Sequence, residues 1–151
     1  MSTLNFRIAT KDDLEAVIQL LVDDDIAEGR EHSGDVGQKY VLAFNSMESE
    51  HYNHMLLAEL GGRVVATLQL VFVPGLSRNG VKRALVESVR VASDLRGKNI
   101  GTALMREAMR RAKEGGCGLM QLTSDIRRAR AHLFYRRLGF VQSHYGLKTE
   151  L

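Results

Sequence analysis

Between Leu95 and Thr102 the chain reads LRGKNIGT, which sets two glycines, an asparagine, an arginine and a lysine at the mouth of an apolar helical run. A helix leaves its first backbone N–H groups without intrahelical acceptors, and its dipole places partial positive charge at the same end. Small residues there let an anion approach the backbone closely. Arg96, Gly97, Lys98, Asn99, Gly101 and Thr102 therefore read as a phosphate grip, against the plainer reading of a glycine-rich helix start with incidental arginine. The spacing is not that of the Walker loop, G-x-x-x-x-G-K-[ST], and it lacks the three glycines of a dinucleotide fingerprint. A second reactive group is Glu87, in LVESVRV. Simple alternation puts it on one strand face with Leu85, Val89 and Val91. A carboxylate among apolar neighbours has either a partner or a task. A salt bridge to Arg90 or Arg83 would be the first, and proton transfer the second.

The surrounding pattern supplies elements to hold these groups. LNFRIAT (4–10) alternates as a strand, and Thr10 followed by Asp13 opens a helix that runs to about Asp23. Residues 23–37 read as loop or broken helix, with a short helix near Gln38–Asn45. Two β-rich runs, 55–60 and 63–73, flank Gly61 and Gly62 as a hairpin. PGLSRNG (74–80) is a loop and 81–92 a strand. A helix over 101–114 stops at Gly115-Gly116, and 118–124 is a short buried strand. A helix over 127–138 ends before Gly139, and 140–151 is extended, the last strand of the series. The order predicts a mixed α/β domain: a largely antiparallel sheet, helices on both faces, and one strand–helix–strand unit with parallel strands.

The chain has 151 residues, which suits one domain over 1–151. No apolar run approaches a membrane span and no export signal is visible, so neither a membrane nor secretion is expected. Cys117 is the only cysteine, so no internal disulfide forms, and a cytoplasmic setting is expected. It reads as a buried, inert thiol. His51 and His54 form H-x-x-H without further ligand spacing, so no metal is assigned. From Arg96 to Arg137 there are eleven Lys/Arg against three Asp/Glu. That imbalance suits an anionic ligand, either a nucleotide-like cofactor or nucleic acid. The arginines fall on several helix faces and match no recognition motif, so nucleic acid is not expected.

A strand, then R-x-x-G-x-G, then a helix resembles the acyl-CoA-binding signature of the GCN5-related N-acetyltransferases. The matching residues are Arg96, Ile100 and Gly101, with Asn99 where the family usually has Gly. Asn is the non-glycine residue that best tolerates a left-handed backbone. AHLFYRRLGF (131–140) is similar to the family's A-x-x-[FL]-Y-x-x-x-G-F segment. Arg128 stands where the family often has Asn, so that cofactor contact is not carried over. The resemblance implies acetyl-CoA as cosubstrate, held by backbone amides of the Arg96–Thr102 loop. It also implies a splayed pair of parallel strands, with an oxyanion contact from N–H groups near Val89–Val91. It makes Glu87 the base, directly or through water, and Tyr135 the acid that protonates the departing thiolate. A packed tyrosine with a satisfied hydroxyl is the other reading of Tyr135.

The implied acceptor is a primary amine of a small molecule or protein, and the acidic stretch 23–35 is either its attractant or a solvated loop. Relatives are often homodimers. A module of another class, sensing acyl-CoA without turnover or binding nucleic acid, is the alternative.

Overall fold

The computed structural model describes residues 2–23 and 37–151. Five strands form one sheet in the order β1 (Leu4–Ile8), β2 (Asn53–Leu60), β3 (Arg63–Val73), β4 (Arg83–Val91) and β5 (Leu119–Leu122). Neighbours are antiparallel from β1 to β4, and β4 pairs with β5 in parallel. Among the described residues, four helices longer than two turns accompany them, α1 (Leu14–Val22), α2 (Gln38–Glu48), α3 (Ile100–Glu114) and α4 (Ala129–Arg137), besides a single kinked turn at Ser77–Gly80. The β2–β3 turn is the expected two-glycine hairpin. Gly61 and Gly62 both have positive φ, 58° and 79°, which a type I′ turn requires. Among the described residues no helix is long and apolar enough to cross a membrane.

Alternation along β2 decides what each sheet face covers. Leu56 and Ala58 join Val65, Leu68, Leu70, Ala84 and Val86 in a core closed by Ile100, Leu104, Met105 and Ala108 of α3. Phe134, Tyr135 and Leu138 around α4 pack on the same cluster. Met55 and Leu57 point the other way, to Val17 of α1 and Phe44 of α2. Helices therefore shield both faces, as the pattern of elements predicts. The end of α3 is drawn tightly onto the sheet. Gly115 lies against the Phe72 ring with no room for a Cβ.

Charge ties down the β1 edge. Arg7 donates to both carboxylate oxygens of Asp13, at 2.7 and 2.8 Å, and to Glu59 at 2.7 Å. Asp13 also accepts the Thr10 backbone N–H at 2.7 Å, so the expected Thr10–Asp13 helix start is formed, although its first turn is a 3₁₀ segment (Lys11–Asp13).

One sequence expectation is not met, and another falls outside the described residues. The acidic stretch 23–35 lies, beyond Asp23, outside the described residues. Residues 140–151, expected as an extended final strand, join no ladder among the described residues and bend at His144. Alternation supplies a strand with a face to bury, but only a neighbouring strand can complete its hydrogen bonds.

The Arg7 bonds hold the Asp13 carboxyl down at about 2, against an ordinary 3.8. A depressed carboxylate contributes stability above its unfolded pKa and loses it as pH falls through the folded value. Asp13→Asn should lower unfolding free energy by about 1–2 kcal/mol at neutral pH. Urea titrations at stepped pH should show that difference vanishing between roughly pH 4 and pH 2.

Candidate active site

One extra residue in β4 shapes the site. Gln69 pairs with Glu87 and Thr67 with Arg90, so Leu68 alone faces both Ser88 and Val89. That is a β-bulge, and Ser88 takes φ 53° to make it. A left-handed backbone costs a non-glycine residue roughly 1–2 kcal/mol. The bulge stands where the parallel strands part. Pairing of β4 with β5 runs from Arg83↔Leu119 to Val86↔Leu122 and ends there. Beyond it, Glu87–Val91 have no β5 partner, and the edge of β4 facing β5 is left unpaired by that strand.

The bulge also corrects the face assigned to Glu87. With an extra residue, alternation changes phase at Ser88–Val89. Glu87 pairs opposite Gln69 and Arg90 opposite Thr67, so these two share a face. Val89 and Val91 pack instead with the α3 cluster on the opposite side. Glu87 does not share their face. It is exposed, and it has no hydrogen bond or ion pair among the described residues. Of the two arginines proposed as its partners, Arg83 donates to Gln121 at 3.0 Å and Arg90 to the Val89 carbonyl at 2.9 Å.

Tyr135 comes from the other side. It is on α4, clamped edge-to-face by Phe134 (centroids 5.1 Å apart) and Phe140 (5.8 Å). Burial raises its phenol above the ordinary value, against a smaller downward pull from Arg90 and Arg128. The hydroxyl therefore stays protonated throughout the neutral range. Two residues past the end of β5, Ser124 Oγ is buried without a hydrogen-bond partner among the described residues.

The loop between β4 and α3 has the shape expected of an anion grip. Gly97 and Asn99 are both left-handed, with φ of 77° and 63°. Asn99 is the N-cap of α3 and places no side-chain bond on the helix. The first intrahelical bond recorded there is Ala103 N–H to the Asn99 carbonyl, at 3.0 Å. The N–H groups of Ile100, Gly101 and Thr102 are left facing outward as donors. At Gly101 a Cβ would meet Val91 at 3.4 Å and Phe134 at 3.5 Å, so a larger side chain would crowd the join of helix, bulged strand and α4.

Arg96 has another engagement. It donates to the Asp23 carbonyl at 2.5 Å and to the Val91 carbonyl at 3.3 Å. Asp23 in turn accepts the Ser93 N–H at 2.9 Å. Arg96 thus straps the end of α1 to the loop. Lys98 and Asn99 also border a groove of about 350 Å³ lined by Ser2, Leu4, Leu60, Leu95, Ile100 and Ala103. That groove flanks α3, and neither Glu87 nor Tyr135 lines it.

Sequence reading missed Ser88. A serine in a strand gives no sign of positive φ, and only the change of phase in the apolar positions, from Ala84 and Val86 to Val89 and Val91, hints at it. Cys117 is half-buried, and burial pushes its thiol up, which makes it a poor nucleophile.

The model of the acetyltransferase (GNAT) family matches residues 14–140. Over 98 residues the chain is 35% identical to aminoalkylphosphonate N-acetyltransferase of Salmonella typhimurium, covering 65% of this chain and 63% of that protein. Over 59 residues it is 46% identical to streptothricin acetyltransferase A of Bacillus subtilis, covering 38% of this chain and 34% of the relative. The match thus spans less than two thirds of either curated relative. A crystal structure of a transcriptional regulator from Bacillus halodurans is similar throughout. Identity is 40%, coverage 99% of this chain and 100% of that one, and TM-score 0.95.

The left-handed step at Asn99 sets a test. Asn99→Gly should leave stability unchanged or slightly raised, while the β-branched Asn99→Val should lose roughly 1–2 kcal/mol in denaturant unfolding.

Proposed function

The chain belongs to the acetyltransferase (GNAT) family, and from that premise we propose that it is an N-acetyltransferase acting on a primary amine of a small molecule, with acetyl-CoA as donor. One observation carries the reading: β4 and β5 part beyond Val86↔Leu122, α3 starts nearby in the chain with unsatisfied helix amides, and Tyr135 of α4 carries a protonated, half-buried phenol. Both curated relatives are named for small molecules, which favours that class of acceptor over a protein amine. The free thiol of Cys117 fits a cytoplasmic setting, and residues 1–151 read as one domain.

Acetyl-CoA would supply an activated acyl group as a thioester. The amides of Gly97 to Thr102, with the Lys98 ammonium, would hold its diphosphate, and the unpaired edge at Val89 and Val91 would align its pantetheine arm. Their carbonyls now accept from Arg90 and Arg96, so those arginines would share or yield that edge. Glu87, unencumbered and exposed, receives the proton that the amine loses on attack, directly or through water. Backbone N–H groups at the bulge stabilise negative charge developing on the acyl oxygen. As the carbon–sulfur bond breaks, Tyr135 gives its proton to the sulfur. Solvent exchange then returns Glu87 and Tyr135 to their starting states.

The description of the Bacillus halodurans relative favours a second reading, a module that senses acyl-CoA or binds nucleic acid without turnover. Against nucleic acid, part of the basic α3 surface is internally compensated. Arg110 pairs with Glu107 and Glu114, and Arg111 pairs with Glu107.

Calorimetry with acetyl-CoA, then thiol release against a panel of small amines, decides between them. Tyr135→Phe and Glu87→Gln should each lower kcat by roughly 10²-fold or more while leaving acetyl-CoA affinity within about twofold. Binding without turnover on any amine would leave only the sensor, and an unaffected Tyr135→Phe rate would remove the acid role.

A further inference from the structure

Gln69 of β3 stands directly opposite Glu87 of β4, so the two side chains share a sheet face. On its other side Gln69 stands opposite Met55 of β2, which packs with Val17 of α1 and Phe44 of α2. The shared face is therefore the one turned away from α3. Residues opposite each other on antiparallel strands carry Cβ atoms about 4.5–5.5 Å apart.

Gln69 is also the inner end of a row of hydrogen bonds. Its Nε2 donates to Asn53 Oδ1 at 2.7 Å, and Asn53 Nδ2 donates to Glu50 Oε2 at 2.9 Å. A side-chain amide exchanges its oxygen and nitrogen when it flips, so its direction has to be set by a group that cannot reverse. Glu50 is that group. An ionised carboxylate only accepts, so Asn53 turns its nitrogen to Glu50 and its oxygen to Gln69. Gln69 then turns its nitrogen to Asn53, and Oε1 becomes the open end of the row. That oxygen accepts no hydrogen bond among the described residues, and it is not shut away from solvent. On the next strand the Glu87 carboxylate likewise has no partner among the described residues. Two neighbouring acceptors suit a donor with several N–H groups. A primary ammonium offers three, and it keeps two after losing a proton.

We infer that Gln69 Oε1 holds the acceptor's amino group beside Glu87, and that Asn53 and Glu50 are positioning residues that keep this oxygen turned to the amine. The inference deepens the acetyltransferase reading and rests on it. While Glu87 takes one proton, the bond to Gln69 holds the nitrogen by another, so the freed lone pair keeps its direction.

Steady-state kinetics on a primary amine tests it. Gln69→Leu should raise the amine KM by roughly 10-fold, the loss of one hydrogen bond to a charged group, with kcat within about threefold. Acetyl-CoA affinity should not change. A second arm holds even if that variant folds poorly, because Glu50 is exposed. In Glu50→Gln the new side chain donates as well as accepts, so both amides of the row can flip and the amine KM should rise severalfold. Adding Asn53→Asp should restore it, since that carboxylate accepts from Gln69 and from the new side chain at once. A row that served only the fold would show no such repair. Absence of turnover on every amine would count against acetyl transfer alone, because the amine site also has a readout without chemistry. The Gln69 side-chain amide resonances, identified by their loss in Gln69→Leu, should shift when propylamine is titrated into the wild-type protein at neutral pH. An unchanged amine KM in Gln69→Leu, the absence of the Glu50→Gln defect or of its repair, or amide resonances indifferent to propylamine would each overturn the assignment.

Discussion

A single surplus residue in β4 is the constraint on which the rest of the structure depends. The sheet is otherwise regular, and strands in parallel register stay together as long as their ladder continues. At Ser88 the ladder with β3 gains one residue on the β4 side, and just before it the ladder with β5 ends at Val86↔Leu122. The strand is thereby re-aimed, and a wedge of unpaired backbone opens. Ser88 stays left-handed at a cost comparable to one lost hydrogen bond. The paired strands on its β3 side and the α3 cluster beneath it over-determine that conformation, which is how strain persists at a functional position.

The remaining parts of the site are arranged around that wedge by different means. α3 is brought to it by the left-handed steps at Gly97 and Asn99 and anchored by Leu104 and Met105, which are fully buried. α4 is held by aromatic edges, with Phe134 and Phe140 on either side of Tyr135. Glu87 needs no anchor of its own, since its strand supplies the direction. The electrostatics follow the same division. Asp13 and Glu107, bonded to arginines, are both drawn to about 2 and serve structure. The Tyr135 phenol is shifted upward by burial, with no partner among the described residues to fix its proton.

Much of this was legible in the residues because it is written in local signals. The hairpin at Gly61-Gly62, the Thr10–Asp13 helix start and the asparagine in the loop each have a local physical cause, and each formed. What was not legible is non-local. Whether Ser88 bulges depends on how many residues β3 offers opposite it, and β4 alone shows only a shift of its apolar positions from Ala84 and Val86 to Val89 and Val91. Placing Val91 on the face of Glu87 followed from unbroken alternation, and one inserted residue is enough to reverse it. Arg96 was read as a ligand for phosphate, and its bond to the end of α1 is a further contact that its neighbours in the chain do not announce. The fold brings Asp23 within its reach from far along the chain. The final strand failed for a related reason: a sequence can specify an amphipathic extended segment, but not where its neighbour comes from.

The donors at the start of α3 belong to the main chain, and main-chain amides neither titrate nor change identity when a codon does. A recognition surface made of them is inherited with the path of the backbone. Residue 99 is then free to drift in side chain, provided the left-handed step survives, whereas Ile100 and Gly101 stay bound by packing; an asparagine in place of glycine is one permitted outcome of that drift.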